Sequence, residues 1–293
     1  MKECYLYEKL PQNNVRCHTC SHFCFITPRK RGLCGVRENQ KGKLYLLVYG
    51  KAIAVNIDPI EKKPLYHFLP GTYTFSFSTI GCNLSCRWCQ NAEISQISKK
   101  LPNIESFPSQ ILLPEDIVKQ ARKFECPSIS YTYTEPTIFL EYALDTMKLA
   151  RKAGLKNIWV SNGYMSRKTL KKILPYLDAI NVDLKSFSEK TYQKYCGAKL
   201  KPILENLKII AKQKIHLEIT TLVIPGVNGS TKELEQIAQF VANTLGKNIP
   251  WHISRFFPAY KMPDTPITPL STLKRAQKIG QKAGLKYIHL GNI

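Results

Sequence analysis

Three cysteines constrain this chain more than any other feature. Cys82, Cys86 and Cys89 stand at the spacing C-x3-C-x2-C within residues 81–91, and no fourth cysteine follows nearby. An iron–sulfur cube contains four irons, and cysteine thiolates ordinarily hold all of them. Three thiolates leave one iron open, and an open coordination position is where a metal site does chemistry. The two short intervals let one loop wrap a cube, and Trp88, just before the last cysteine, can shield it from water. Zinc knuckles pair their cysteines at C-x2-C, which the longer first interval fits poorly.

The rest of the composition is compatible with such a centre. The chain has 293 residues, 44% of them apolar, enough for one large α/β domain and a small additional module. No apolar run approaches the roughly eighteen residues of a membrane helix. The first residues, Met1-Lys2-Glu3-Cys4-Tyr5, carry no apolar signal-peptide core. Ten cysteines in an unexported chain point to metal ligation rather than disulfides, and to the cytoplasm, where thiols stay reduced. Basic residues outnumber acidic ones by 43 to 21, giving a net charge of +22 that favours acidic partners. Nucleic acid, an acidic electron carrier and an acidic protein substrate all qualify. The lysines are spread along helical segments, as in Lys168, Lys171 and Lys172 or Lys274, Lys278 and Lys282, with no dense basic tail. Solvated helix faces account for that spread better than a nucleic-acid surface does.

From about residue 72 onward, strand and helix patterns alternate. Strand candidates fall at 72–78, 128–134, 157–161, 179–184, 215–224 and 251–257, with helical periodicity between them. Lys152-Ala153-Gly154-Leu155-Lys156 and Lys282-Ala283-Gly284-Leu285-Lys286 echo each other, each reading as a helix end, a glycine stop and a following strand. Repeated strand–helix units predict an α/β fold with a parallel sheet and suggest a barrel. Periodicity alone does not separate a barrel from a doubly wound sheet. Residues 1–70 read differently, as a small Cys-rich module. In it, 43–49 and 52–57 suggest a hairpin about Gly50, and Pro70-Gly71 marks a boundary before a core domain at 71–293.

The cysteine loop, with its aromatic before the last cysteine, resembles the signature of the radical S-adenosylmethionine (SAM) superfamily. The resemblance implies that SAM chelates the open iron. One electron then cleaves its sulfonium bond, and the resulting 5′-deoxyadenosyl radical takes hydrogen from a substrate. It also implies a partial (β/α)6 TIM-like barrel, a number the six strand candidates fit. In such barrels the site lies at the C-terminal ends of the strands. Four further segments end there. Glu135, in Tyr133-Thr134-Glu135-Pro136, stands where the superfamily has a Gly-Gly-Glu-type segment that meets the SAM amino group, although here the glycines are absent. As a helix N-terminal acid it is explained equally well by the helix dipole. Ser161 and Asn162, before Gly163, resemble the Thr-Asn-Gly segment of glycyl-radical activating enzymes, and an ordinary turn would look the same. Asp183 and Lys185 share one face of a strand and match an Asp-x-Lys of the same enzymes, with the Lys near the SAM ribose and carboxylate. Pairing with each other is their alternative. His252 and Arg255 are carried as further catalytic candidates beside Asp183 and Lys185.

Taken with Asp58-Pro59-Ile60-Glu61-Lys62-Lys63-Pro64 and His252-Ile253-Ser254-Arg255-Phe256-Phe257-Pro258, the pattern resembles the AmmeMemoRadiSam-system radical SAM enzymes, relatives of pyruvate formate-lyase activating enzymes. That resemblance implies a [4Fe–4S] cluster and SAM as cofactors, a reductant such as flavodoxin or ferredoxin, a protein or peptide substrate and no membrane. Family members often continue past the position of Asn292 into a cysteine-bearing tail, which the resemblance implies is missing or removed here. Modification of another residue or a small molecule is the second reading. A zinc-rich nucleic-acid-binding protein is a third, which explains the charge but not the division of the cysteines. Cys17, Cys20, Cys24 and Cys34 can close a further site, for zinc or for a second cluster suited to electron relay. Cys4, Cys126 and Cys196 read as ordinary packed or surface cysteines.

Overall fold

In residues 73–78 small polar side chains alternate with aromatic ones, and this gives a strand two different faces. Thr74 bonds Ser130 through their hydroxyls at 2.8 Å on one face, while Phe77 packs against Tyr131, Phe139 and Tyr142 on the other. The computed structural model describes residues 1–293 apart from the side chain of Glu105. Its largest sheet has eight strands in chain order: β1 (Ala54–Pro59), β2 (Tyr73–Ser78), β3 (Ser128–Tyr131), β4 (Lys156–Ser161), β5 (Ala179–Asp183), β6 (His216–Val223), β7 (Trp251–Arg255) and β8 (Ile288–Gly291). All neighbours are parallel except β1, which runs antiparallel to β2 at the sheet edge.

Helices α1 (Pro114–Lys123), α2 (Leu140–Lys152), α3 (Arg167–Ile173), α4 (Leu200–Ile210), α5 (Thr231–Gln239) and α6 (Leu270–Lys282) alternate with the strands from β2 to β8. Their apolar stripes face the sheet; α2 alone buries Leu140, Tyr142, Ala143, Leu144, Met147 and Ala150. Both glycines of the sequence echo take the left-handed conformation just past a helix, Gly154 at φ +77° and Gly284 at φ +90°. The architecture is the expected partial barrel, with one parallel strand more than the six candidates. That strand, β8, is the second half of the echo.

Two expectations for residues 1–70 change. The hairpin about Gly50 does not form. Lys43–Leu46 pairs instead with Arg37–Gln40 and Lys2–Glu3, and β1 pairs with β2, whose edge it covers. Residue 70 therefore lies between two strands of one sheet, and residues 54–69 pack with the barrel. Residues 60–69 fill its base. Ile60 and Leu65 pack on Ile158 and Ala179, Asn181 donates to the Pro64 carbonyl at 2.8 Å, and the backbone amides of Tyr66 and His67 donate to Glu218. Among the described residues no helix is long and apolar enough to cross a membrane.

Candidate active site

At the opposite end, where the strands finish, the barrel opens into a cavity of ≈ 650 Å³. This is the size of a cofactor pocket. Cys82, Cys86 and Cys89 share its wall with residues from the ends of β3, β4 and β5. The loop bearing them starts from Gly81, whose φ of +105° favours glycine.

The polar groups of the rim hold one another in place. Glu135 is 1% exposed. Its Oε1 accepts from the Thr137 amide at 3.1 Å, the Thr137 hydroxyl at 2.5 Å and the Ser161 hydroxyl at 2.9 Å. Among the described residues its Oε2 accepts only the Asn162 amide, at 2.8 Å, and so keeps capacity for another donor. Glu135 caps a short helix and also lines the cavity. Burial raises its pKa, against the pull of these hydrogen bonds. Asn162 donates to the Asn83 side chain at 2.8 Å and lies 3.9 Å from the Cys82 sulfur, tying the end of β4 to the cysteine loop. Asp183 and Lys185 both line the cavity and pair with each other at 2.8 Å. Burial alone would lower the pKa of Lys185, but Asp183 and the Cys86 sulfur raise it further, so the ammonium persists.

Two candidates are not at this cavity. His252 is 3% exposed and is bonded to Glu218 at 2.5 Å near the barrel base, where Tyr66 packs on its ring. Arg255 turns its Nε to the Thr268 carbonyl at 2.8 Å. His252 stands two residues before Ser254, which does line the cavity, and its ring is held away from it by Glu218 and Tyr66; Arg255 falls on the other face of β7.

Sequence reading missed one wall. Asp58, Lys62 and Lys63 line the cavity, with Lys63 paired to Asp58 at 2.6 Å. The Tyr133 hydroxyl also donates to Asp58, and Lys63 lies 4.4 Å from the centre of the Tyr133 ring. Tyr133 itself is held at φ +61°, with its carbonyl accepting from Asn91 at 2.7 Å. A left-handed aromatic at a cavity is a strained residue, and strain of this kind concentrates at working sites. The run of charges after Asp58 was the available signal.

Cys196 is fully buried beside the cysteine loop, its carbonyl accepting from the Ser85 amide at 2.8 Å. The neighbouring Cys196, with Lys185 and Lys99, brings the Cys86 thiol down against the cost of its burial. Burial pushes Cys82 and Cys89 up.

The donor set suits a cluster. Three thiols share one wall, and the buried Asn83 amide nitrogen beside Cys82 has no partner among the described residues. Comparison with known proteins agrees. Residues 76–241 match the sequence model of the Radical SAM superfamily, and the chain belongs to that superfamily. It is 44% identical over 293 residues to an uncharacterized protein of Methanocaldococcus jannaschii, covering 100% of this chain and 86% of that one. It is also similar to the isethionate sulfite-lyase activating enzyme of Desulfovibrio desulfuricans, at 25% identity over 235 residues, 60% of this chain and 75% of the relative. A solved radical SAM methyltransferase from Sphaerobacter thermophilus has a TM-score of 0.57 at 14% identity, over 76% of this chain and 67% of that one. At that identity the likeness shows the fold alone. The protein is a radical SAM enzyme, and its cofactors are a [4Fe–4S] cluster and SAM.

Proposed function

We propose that this enzyme abstracts a hydrogen atom from a protein or peptide, in the manner of a glycyl-radical activating enzyme. The observation that carries the reading is the convergence of Cys82, Cys86, Cys89, Glu135, Asn162 and Lys185 on one cavity. Cys82, Cys86 and Cys89 would hold the cluster, which would supply the electron for reductive cleavage of SAM. The chain's own part is to bind and orient. The free capacity of Glu135 Oε2 suits the SAM ammonium. Ser161 and Asn162 are fixed by Glu135 and present polar groups to the ribose or carboxylate. Lys185 stays protonated beside Asp183 and offers a fixed positive charge to the carboxylate. The closed base of the barrel keeps bulk water from that end of the cavity.

The similarity to an activating enzyme supports a protein substrate. A net charge of +22 suits docking of an acidic one-electron donor such as flavodoxin or ferredoxin. Anaerobic enzyme, reduced and given SAM, is expected to release 5′-deoxyadenosine. With candidate partner proteins deuterated in place of SAM, mass spectrometry of the released 5′-deoxyadenosine should show one deuterium gained from the abstracted position. If reduced enzyme leaves SAM intact, the reading fails. If SAM is cleaved and 5′-deoxyadenosine gains deuterium from no protein or peptide, the protein-substrate part fails.

A further inference from the structure

A second group of cysteines lies outside this site. Cys17, Cys20, Cys24 and Cys34 come from the strand Val15–Cys17, the turn after it and the loop before Arg37–Gln40. All four line one small cavity of ≈ 10 Å³, otherwise walled largely by apolar groups such as Ile26, Leu33 and Ile138. None is in a disulfide.

One polar group on this wall calls for an occupant. The Thr19 hydroxyl, on a residue 2% exposed, has no partner among the described residues. A buried hydroxyl without an acceptor is costly, about 1–3 kcal/mol, and a filled cavity would supply the acceptor. Sulfur donors and a hydroxyl donor suit an occupant that is metallic and carries acceptor atoms.

Spacing selects among metals. Zinc held by four thiolates stands about 2.3 Å from each sulfur. At that range sulfur's own bulk leaves no room for a sphere of roughly 1.4 Å radius. Here the cavity does admit a water-sized sphere. Among the described residues no three His, Cys, Asp or Glu side chains form a group that could hold one metal ion. Thiols that line a common space without forming such a one-ion group match a centre that brings its own sulfides between its irons.

We propose that Cys17, Cys20, Cys24 and Cys34 hold a second [4Fe–4S] cluster. The Thr19 hydroxyl donates to one of its sulfurs. The chain around this site touches the first cysteine loop directly. His22 bonds the Asn83 carbonyl at 2.8 Å, Ser98 donates to the Cys34 carbonyl at 2.9 Å, and a Cβ on Gly81 would come within 3.0 Å of that same carbonyl.

The test is an iron and acid-labile sulfide count after anaerobic reconstitution of the full chain, with Cys82, Cys86 and Cys89 all replaced by alanine. That variant lacks the proposed SAM site, so the result reads the second site alone. It is expected to keep half the iron of the parent protein, about four atoms per chain, and to show the paramagnetic resonance of a reduced four-iron cluster. Adding Cys24→Ser, at the least buried of the four cysteines, should lower that iron at least fourfold while circular dichroism stays that of the folded barrel. One zinc per chain, or no iron and sulfide in a variant with native circular dichroism, overturns the proposal.

Discussion

Glu141→Ala is expected to lower the unfolding free energy by about 3–5 kcal/mol, the cost of leaving one member of a buried ion pair alone. Arg37 and Glu141 are 2% and 0% exposed and meet through two bonds, of 2.6 and 3.2 Å. The Arg37 Nε also donates to the Ile138 carbonyl at 3.0 Å, and the Tyr5 amide donates to Glu141 at 2.9 Å. A guanidinium is effectively always protonated, so Arg37 cannot shed its charge when its partner is removed. The pair joins the Cys-rich segment to α2, and its loss should loosen that joint first. Replacing both residues, as Arg37→Met with Glu141→Leu, should recover most of the stability, because no uncompensated charge remains. Urea unfolding at one fixed metal loading measures all three. A loss below about 1 kcal/mol in Glu141→Ala would show the pair to be dispensable.

Glu218→Ala is expected to cost about 3 kcal/mol at neutral pH. The carboxylate is fully buried and accepts from His216 at 2.7 Å, His252 at 2.5 Å and the amides of His67 and Tyr66 at 2.9 and 3.2 Å. The imidazoles can turn to new partners, but the two amides cannot, and each orphaned donor costs about 1–3 kcal/mol. The effect should depend on pH. Burial alone would raise the Glu218 pKa, yet the bonds from His216 and His252 bring it down to about 2. A carboxyl depressed on folding contributes stability above its unfolded pKa of about 4.3 and loses it as pH falls toward the folded value. The stability gap between the parent and Glu218→Ala should therefore close between about pH 5 and pH 2. A gap that widens on acidification would mean that Glu218 is held as the neutral acid.

The parts of the site that could be read from sequence were those fixed by local chemistry. Spacing placed Cys82, Cys86 and Cys89 on one loop, and strand alternation placed Asp183 and Lys185 on one face. Contacts between distant segments were not readable. Cys196 meets the cysteine loop from across the fold, and Asp58 reaches the cavity only because β1 turns back along β2. His252 shows the same limit, because which neighbours hold a strand side chain depends on register, and register is set by neighbouring strands. The seventh parallel strand was present in the sequence as the second half of the echo, and only the barrel count left it out.

Residues 60–69 stop the barrel at its base, so the mouth at the strand ends has no counterpart at the other end and reagents cannot flow straight through. A large partner pressing on that mouth would act as its stopper, confining a short-lived reactive species with only one neighbour to strike.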